Sequence, residues 1–145
     1  MPILKSVKQG AIAGVFFAAG VAVTVAYGKT SYPPVEVLLT TAQSALGQDL
    51  VYPTGRPVIT AAIVTLQPGE STGEHRHDVP MFAMILDGEI TVDYGPDGTK
   101  IFKAGDSMVE AFRTYHNGIN TGADAVRILA VFAGAENAQN TVMKE

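Results

Sequence analysis

Apolar positions along this chain fall into two regimes. From Gln9 to Gly28, QGAIAGVFFAAGVAVTVAYG, 20 residues pass without a charge. A helix of that length, rising about 1.5 Å per residue, spans about 30 Å, the thickness of a bilayer's hydrocarbon core. After SYPP the pattern breaks into short runs rich in β-branched residues: VEVLLTTA (35–42), VITAAIVTL (58–66), MFAMIL (81–86), EITVDY (89–94), TKIFKAGD (99–106), SMVEAF (107–112) and AVRILAVFAG (125–134). Gly, Asp and Pro separate them, as in QPGE, DG and GPDG. Such runs predict strands, and many short strands at this spacing predict an all-β barrel or sandwich. DYGPDGTK predicts a hairpin, with Asp97-Gly98 supplying the positive φ of a tight turn. No helical periodicity of useful length interrupts the series.

The chain therefore divides into a short N-terminus (1–8), a transmembrane helix (9–28), a linker (29–34), a β-domain (35–134) and a polar tail (135–145) expected on the surface. Lys5 and Lys8 precede the long apolar segment, and Lys29 alone follows it closely. The positive-inside rule then puts the N-terminus in the cytoplasm and the β-domain outside it, in the periplasm of a bacterial inner membrane. Length favours an anchor over a cleaved signal, whose apolar region runs about 7–15 residues. The alternative is cleavage after the small-x-small sequence AYG at 26–28. Gly10 and Gly14 give the anchor a small-xxx-small face on which another helix can pack closely in lipid.

Composition narrows the function. The 145 residues carry a net charge of −4, with no basic stripe to neutralise phosphates, which excludes a nucleic-acid partner. The absence of cysteine excludes disulfides, thiolate metal sites and cysteine nucleophiles. Only three histidines occur, at 75, 77 and 116. On a strand, residues two apart face the same way, so His75 and His77 point into one volume. Two imidazoles converging from one strand are what a transition metal needs. The competing reading is a polar loop in which His75 and His77 merely neighbour Glu74, Arg76 and Asp78.

The surrounding residues carry more. Gly69, five residues, His75-x-His77, three residues, Met81, six residues and Gly88 resembles the first motif of the cupin superfamily. Gly105 with His116-x3-Asn120 resembles the second, with two extra residues and with Ala111 where Pro is common. Together with LVYPTG, LDGEITV, KAGDSMVEAF, HNGINTG and ILAVFAG, the stretch from Val35 to Gly134 looks like a small single-domain bacterial cupin. The resemblance implies a cupin β-barrel, a double-stranded β-helix or jelly roll, with His75, His77 and His116 as metal ligands. Met81 stands where the motif normally carries Glu. Three neutral imidazoles still suffice for Zn, Fe, Mn, Ni or Cu, but loss of the carboxylate weakens hard-ion binding, and a thioether is itself a weak ligand for copper. Otherwise Met81, like Met84 and Met108, fills the core.

Glu110, Arg113 and Tyr115 are candidates to orient a ligand or move protons, or else form surface pairs. Glu74 or Asp78 is a candidate to accept a hydrogen bond from a ligating imidazole. Asn120 is expected to close the turn after His116. Two functions follow. The first is a membrane-anchored accessory or binding subunit outside the cytoplasm, docking on the membrane proteins of a larger assembly. The second is a periplasmic metal-dependent enzyme, of dioxygenase, isomerase or hydrolase type, with a small molecule in its barrel.

Overall fold

The computed structural model describes residues 33–145. The proposed membrane segment, 9–28, lies outside the described residues. Among those described, no helix is long and apolar enough to cross a membrane.

The described chain is all-β. Its strands are β1 (Pro57–Leu66), β2 (His75–Arg76), β3 (Met81–Asp87), β4 (Glu89–Asp93), β5 (Thr99–Lys103), β6 (Ser107–Val109), β7 (Asn117–Ile119), β8 (Val126–Ala135) and β9 (Val142–Met143). They form a four-stranded sheet in the order β1-β8-β3-β6, a three-stranded sheet β5-β4-β7 and a small pair β2-β9. Each named pairing is antiparallel.

Alternation explains the core. In β3, Met81, Ala83 and Ile85 are buried while Phe82, Met84 and Leu86 face the other way, half-buried. Ile90 and Val92 of β4 and Val126, Ile128 and Ala130 of β8 continue the apolar interior. Tyr94 and Met108 complete it, so the core lies between the two larger sheets. The pairing of β3 with β8 shifts register between Ile85 and Asp87, just before the turn at Gly88. Gly88 has φ of 74°, and a Cβ there would lie 2.7 Å from the Ala125 carbonyl oxygen. Only glycine fits both demands.

Three expectations change. The 35–42 run forms no strand: Val35, Val37 and Leu38 are exposed, and among the described residues no strand pairs with them. The chain instead turns at Ser44–Gln48 and latches onto the barrel through Gln48, whose Nε2 donates to the Phe112 carbonyl and whose Oε1 accepts from the Phe112 N–H, both at 2.8 Å. The β4–β5 hairpin exists, but its turn is a 3-10 turn over Gly95–Asp97. Gly98 of the expected Asp97-Gly98 pair does carry positive φ, 85°, and Gly95 carries a second, 62°. Finally, the C-terminal stretch, though largely exposed, returns to the barrel: β9 pairs with β2, placing Met143 opposite His75 and Val142 opposite Arg76.

Candidate metal centre

His75 opens β2, His77 follows it, and His116 immediately precedes β7. Period two sends the first two rings inward, and both are buried with His116. His75 and His116 lie directly opposite each other, the N–H of His75 donating to the carbonyl of His116 at 2.9 Å and the reverse at 2.8 Å. His77 is fixed by a separate bond, its carbonyl accepting from the Arg113 N–H at 2.8 Å. Ring centroids are 4.9 Å apart for His75–His77, 4.5 Å for His75–His116 and 5.1 Å for His77–His116.

The tautomer of each ring follows from its partner. His75 Nδ1 lies 2.8 Å from the Gly73 carbonyl oxygen, His116 Nδ1 2.9 Å from that of Thr114, and His77 Nδ1 3.0 Å from that of Asn140. A carbonyl oxygen only accepts, so each Nδ1 carries the proton and each Nε2 keeps its lone pair. Burial holds His77 down to about 3, the nearby His75 and His116 add to the effect, and the Asn140 carbonyl opposes it. Burial also lowers His75, against the pull of the Gly73 carbonyl. Neutral imidazoles with fixed tautomers are metal ligands in waiting.

The geometry fits one ion. One nitrogen of each ring lies within 4.8 Å of the other two. The centre of such a triangle is at most about 2.8 Å from each corner, so reaching metal–nitrogen bonds of about 2.0–2.1 Å takes less than an ångström of movement per ring. Divalent transition metals that accept imidazole suit this donor set.

Other candidates separate clearly. Met81 is buried beside the histidines and lines the same cavity, as Met108 does, while Met84 faces away. Neither Glu74 nor Asp78 touches a ligand ring: Glu74 pairs with Lys144 and Asp78 with Arg76. Backbone carbonyls do that work instead. Arg113 is exposed, its guanidinium 4.7 Å from the centre of the Phe112 ring. Tyr115 takes Arg76 and Lys144 over its ring at the surface. Asn120 closes its turn as expected, donating to the carbonyls of Leu66 and Asp124 and accepting from the Gly122 N–H, each at 2.9 Å.

Glu110 is the polar residue that matters. It is 4% exposed and lines the cavity. Its Oε1 accepts the Tyr94 hydroxyl at 2.7 Å and the Ala111 N–H at 2.6 Å. Among the described residues no donor reaches its Oε2, yet no buried side-chain oxygen or nitrogen there lacks a partner. Oε2 therefore opens on the cavity. Burial and the adjoining Glu110 push the Tyr94 phenol well above its ordinary value, which keeps it a donor. Tyr94 also lies 5.8 Å, centre to centre, from the His116 ring. The carboxyl group absent at Met81 is thus present in the same cavity, contributed by the residue that follows β6.

Residues 62–132 match the family model for the cupin domain. The matched residues are just under half of the chain and resemble a cupin domain. Among solved structures, this chain is similar to the oxalate decarboxylase of Lactobacillus farciminis in its formate complex, at 27% identity and a TM-score of 0.50, over 59% of this chain and 26% of that one. It is also similar to a variant of the Bacillus subtilis oxalate decarboxylase, at 24% identity and a TM-score of 0.50, over 59% of this chain and 23% of that one. A structure of DMSP lyases matches at 15% identity and a TM-score of 0.50, over 60% and 44% of the two chains. The last two show the fold alone. The chain spans about a quarter of the length of the decarboxylases it matches. No curated protein matches its sequence.

Proposed function

We propose that this cupin domain holds one divalent transition metal on His75, His77 and His116 and uses it to bind and transform a small organic molecule. The observation that carries the reading is the set of three buried imidazoles whose Nδ1 atoms all donate to backbone carbonyls, leaving each Nε2 its lone pair, with one nitrogen of each ring within 4.8 Å of the others. A divalent ion bound there would polarise a ligand oxygen as a Lewis acid. Glu110 Oε2 then offers a proton acceptor or donor at the cavity wall, and Tyr94 holds that carboxyl in place through Oε1. The cavity walls around this site are mostly apolar. Oxalate, on which the Lactobacillus farciminis relative acts by its name, is a ligand against which others can be compared. Elemental analysis of purified protein, beside a His75→Ala/His77→Ala/His116→Ala variant, tests the reading. We expect about one equivalent of metal in the parent and none in the variant. A parent that takes up no Zn, Fe, Mn, Ni or Cu sinks it.

A second reading rests on the charge-free segment 9–28 and its Gly10-xxx-Gly14 spacing. In it, the domain stands outside the cytoplasm, tethered to the inner membrane, and serves as accessory subunit to a larger membrane assembly. Retention through a carbonate wash with the N-terminus intact supports the tether. A mature chain starting near Lys29 turns the segment into a signal peptide. With the tether retained, Gly14→Leu should weaken co-purification with any membrane partner while leaving the barrel folded.

A further inference from the structure

The cavity around the histidines encloses about 290 Å³, at the small end of the range for ligand pockets, about 300–1,000 Å³. Its walls are mostly aliphatic, methionine and Phe132 side chains. Its polar members, besides the three histidines, are Glu110 and the threonines Thr72 and Thr141; among the described residues no lysine or arginine lines it. Two cations adjacent in sequence to cavity residues are already engaged: Arg76 is paired with Asp78, and Lys144 with Glu74.

From this charge pattern we infer that the cupin cavity selects a metal-binding ligand with at most one negative charge and an apolar body, and rejects dicarboxylates. The inference rests on the metal reading above and names the ligand class of that site. Three neutral imidazoles leave a divalent ion with its full charge. Glu110, accepting from Tyr94 and Ala111 as a carboxylate does, offsets one unit, and a singly charged ligand offsets the other. The occupied cavity is then neutral. A dianion leaves one negative charge in an apolar enclosure with no cation to meet it, and buried unpaired charge is strongly disfavoured. The apolar walls reward a hydrocarbon body in the ligand, which a bare diacid lacks. A donor on the ligand can also meet Glu110 Oε2, an acceptor that no donor reaches among the described residues.

The experiment uses the full chain loaded with Co(II), whose visible d–d bands report changes at the metal without any turnover. Benzohydroxamate, a singly charged two-oxygen chelator with an apolar ring, is titrated against oxalate, a doubly charged chelator. We expect benzohydroxamate to saturate the spectral change at a concentration at least about tenfold below that of oxalate. Glu110→Gln removes the wall charge and should move the ratio of the two affinities toward oxalate by about tenfold or more. The comparison in the parent protein needs no variant, so it stands even where Glu110→Gln folds poorly. Oxalate binding as tightly as benzohydroxamate in the parent overturns the selectivity while leaving the metal site standing. An unchanged ratio in a folded Glu110→Gln protein overturns the role of Glu110. Failure to take up Co(II) at all overturns the metal reading, and this inference falls with it.

Discussion

His75 and His116, 41 positions apart in sequence, are joined by a reciprocal pair of backbone hydrogen bonds of 2.9 and 2.8 Å. In an antiparallel pair of this kind the Cα atoms sit about 5.5 Å apart with both side chains on one face. The two rings therefore meet, at 4.5 Å between centroids, because the backbone register requires it. The site is set by strand pairing rather than by loops closing on an ion, so the rings should be in position before any ion arrives.

Each histidine should matter separately. His75→Ala, His77→Ala or His116→Ala leaves two protein nitrogens. The loss in metal affinity should exceed the roughly 10–100-fold that follows removal of an outer hydrogen-bond partner. Isothermal titration of the apoprotein with Zn²⁺ or Co²⁺ measures it. A single variant that binds as the parent does removes that histidine from the set.

Acid should destabilise the metal-free protein in a defined window. His77 is held down to about 3 in the folded chain by burial, whereas unfolded it titrates near 6.5. Between those values the unfolded chain binds a proton that the folded one refuses, so stability falls as pH drops from about 6.5 toward 3. The slope for this group approaches about 1.4 kcal/mol per pH unit. Above about 6.5 His77 contributes no pH dependence. His75, also lowered, adds in the same direction. Urea midpoints between about pH 7.5 and 5 read the slope, and His77→Asn should flatten it. Parallel slopes in parent and variant contradict the assignment.

Tyr94→Phe keeps the ring and removes one of the two donors on Glu110 Oε1. Oε1 keeps the Ala111 N–H, so the loss is that of one hydrogen bond, about 0.5–1.5 kcal/mol, and the variant should melt a few degrees lower. Tyr94→Phe/Glu110→Gln should lose less than the sum of the single changes, because the pair acts as a unit. Strict additivity in thermal melts counts against the pairing.

Removing residues 140–145 should damage the metal centre more than the barrel. The truncation deletes β9 and the carbonyl that orients His77, both remote from the main core. Metal affinity should fall about 10–100-fold with the far-ultraviolet circular dichroism nearly unchanged. Asn140→Ala should leave affinity close to the parent's, because the partner is the main-chain carbonyl. A truncated chain with parental affinity shows that the tail does not support His77.

Legibility in the sequence followed the reach of each interaction. MFAMIL, EITVDY and AVRILAVFAG read as strands because their burial alternates locally. The His75–His77 pair was legible for the same reason, and the joining of His116 to it came with the cupin motifs. VEVLLTTA carries the same β-branched signal yet forms no strand, since a strand exists only where a partner edge receives it. Glu110 offered a usable signal: two residues after the buried Met108, it shares that inward face. Tyr94 likewise continues the alternation of Ile90 and Val92 past the end of β4. The support of His77 by Asn140 offered none. It depends on a two-residue strand, whose place is set by the assembled barrel and not by its own composition.

The position of Asn140 also decides how easily the centre could be undone. Its carbonyl sets the His77 ring from a segment outside the main core. Glu136 and Asn137, just after β8, are exposed, and exposed loop positions are where proteases cut. One cut there would free the Asn140 carbonyl while leaving the strands of both larger sheets whole. The barrel would outlive its site, and a nicked chain could look folded and yet have lost the orientation of His77.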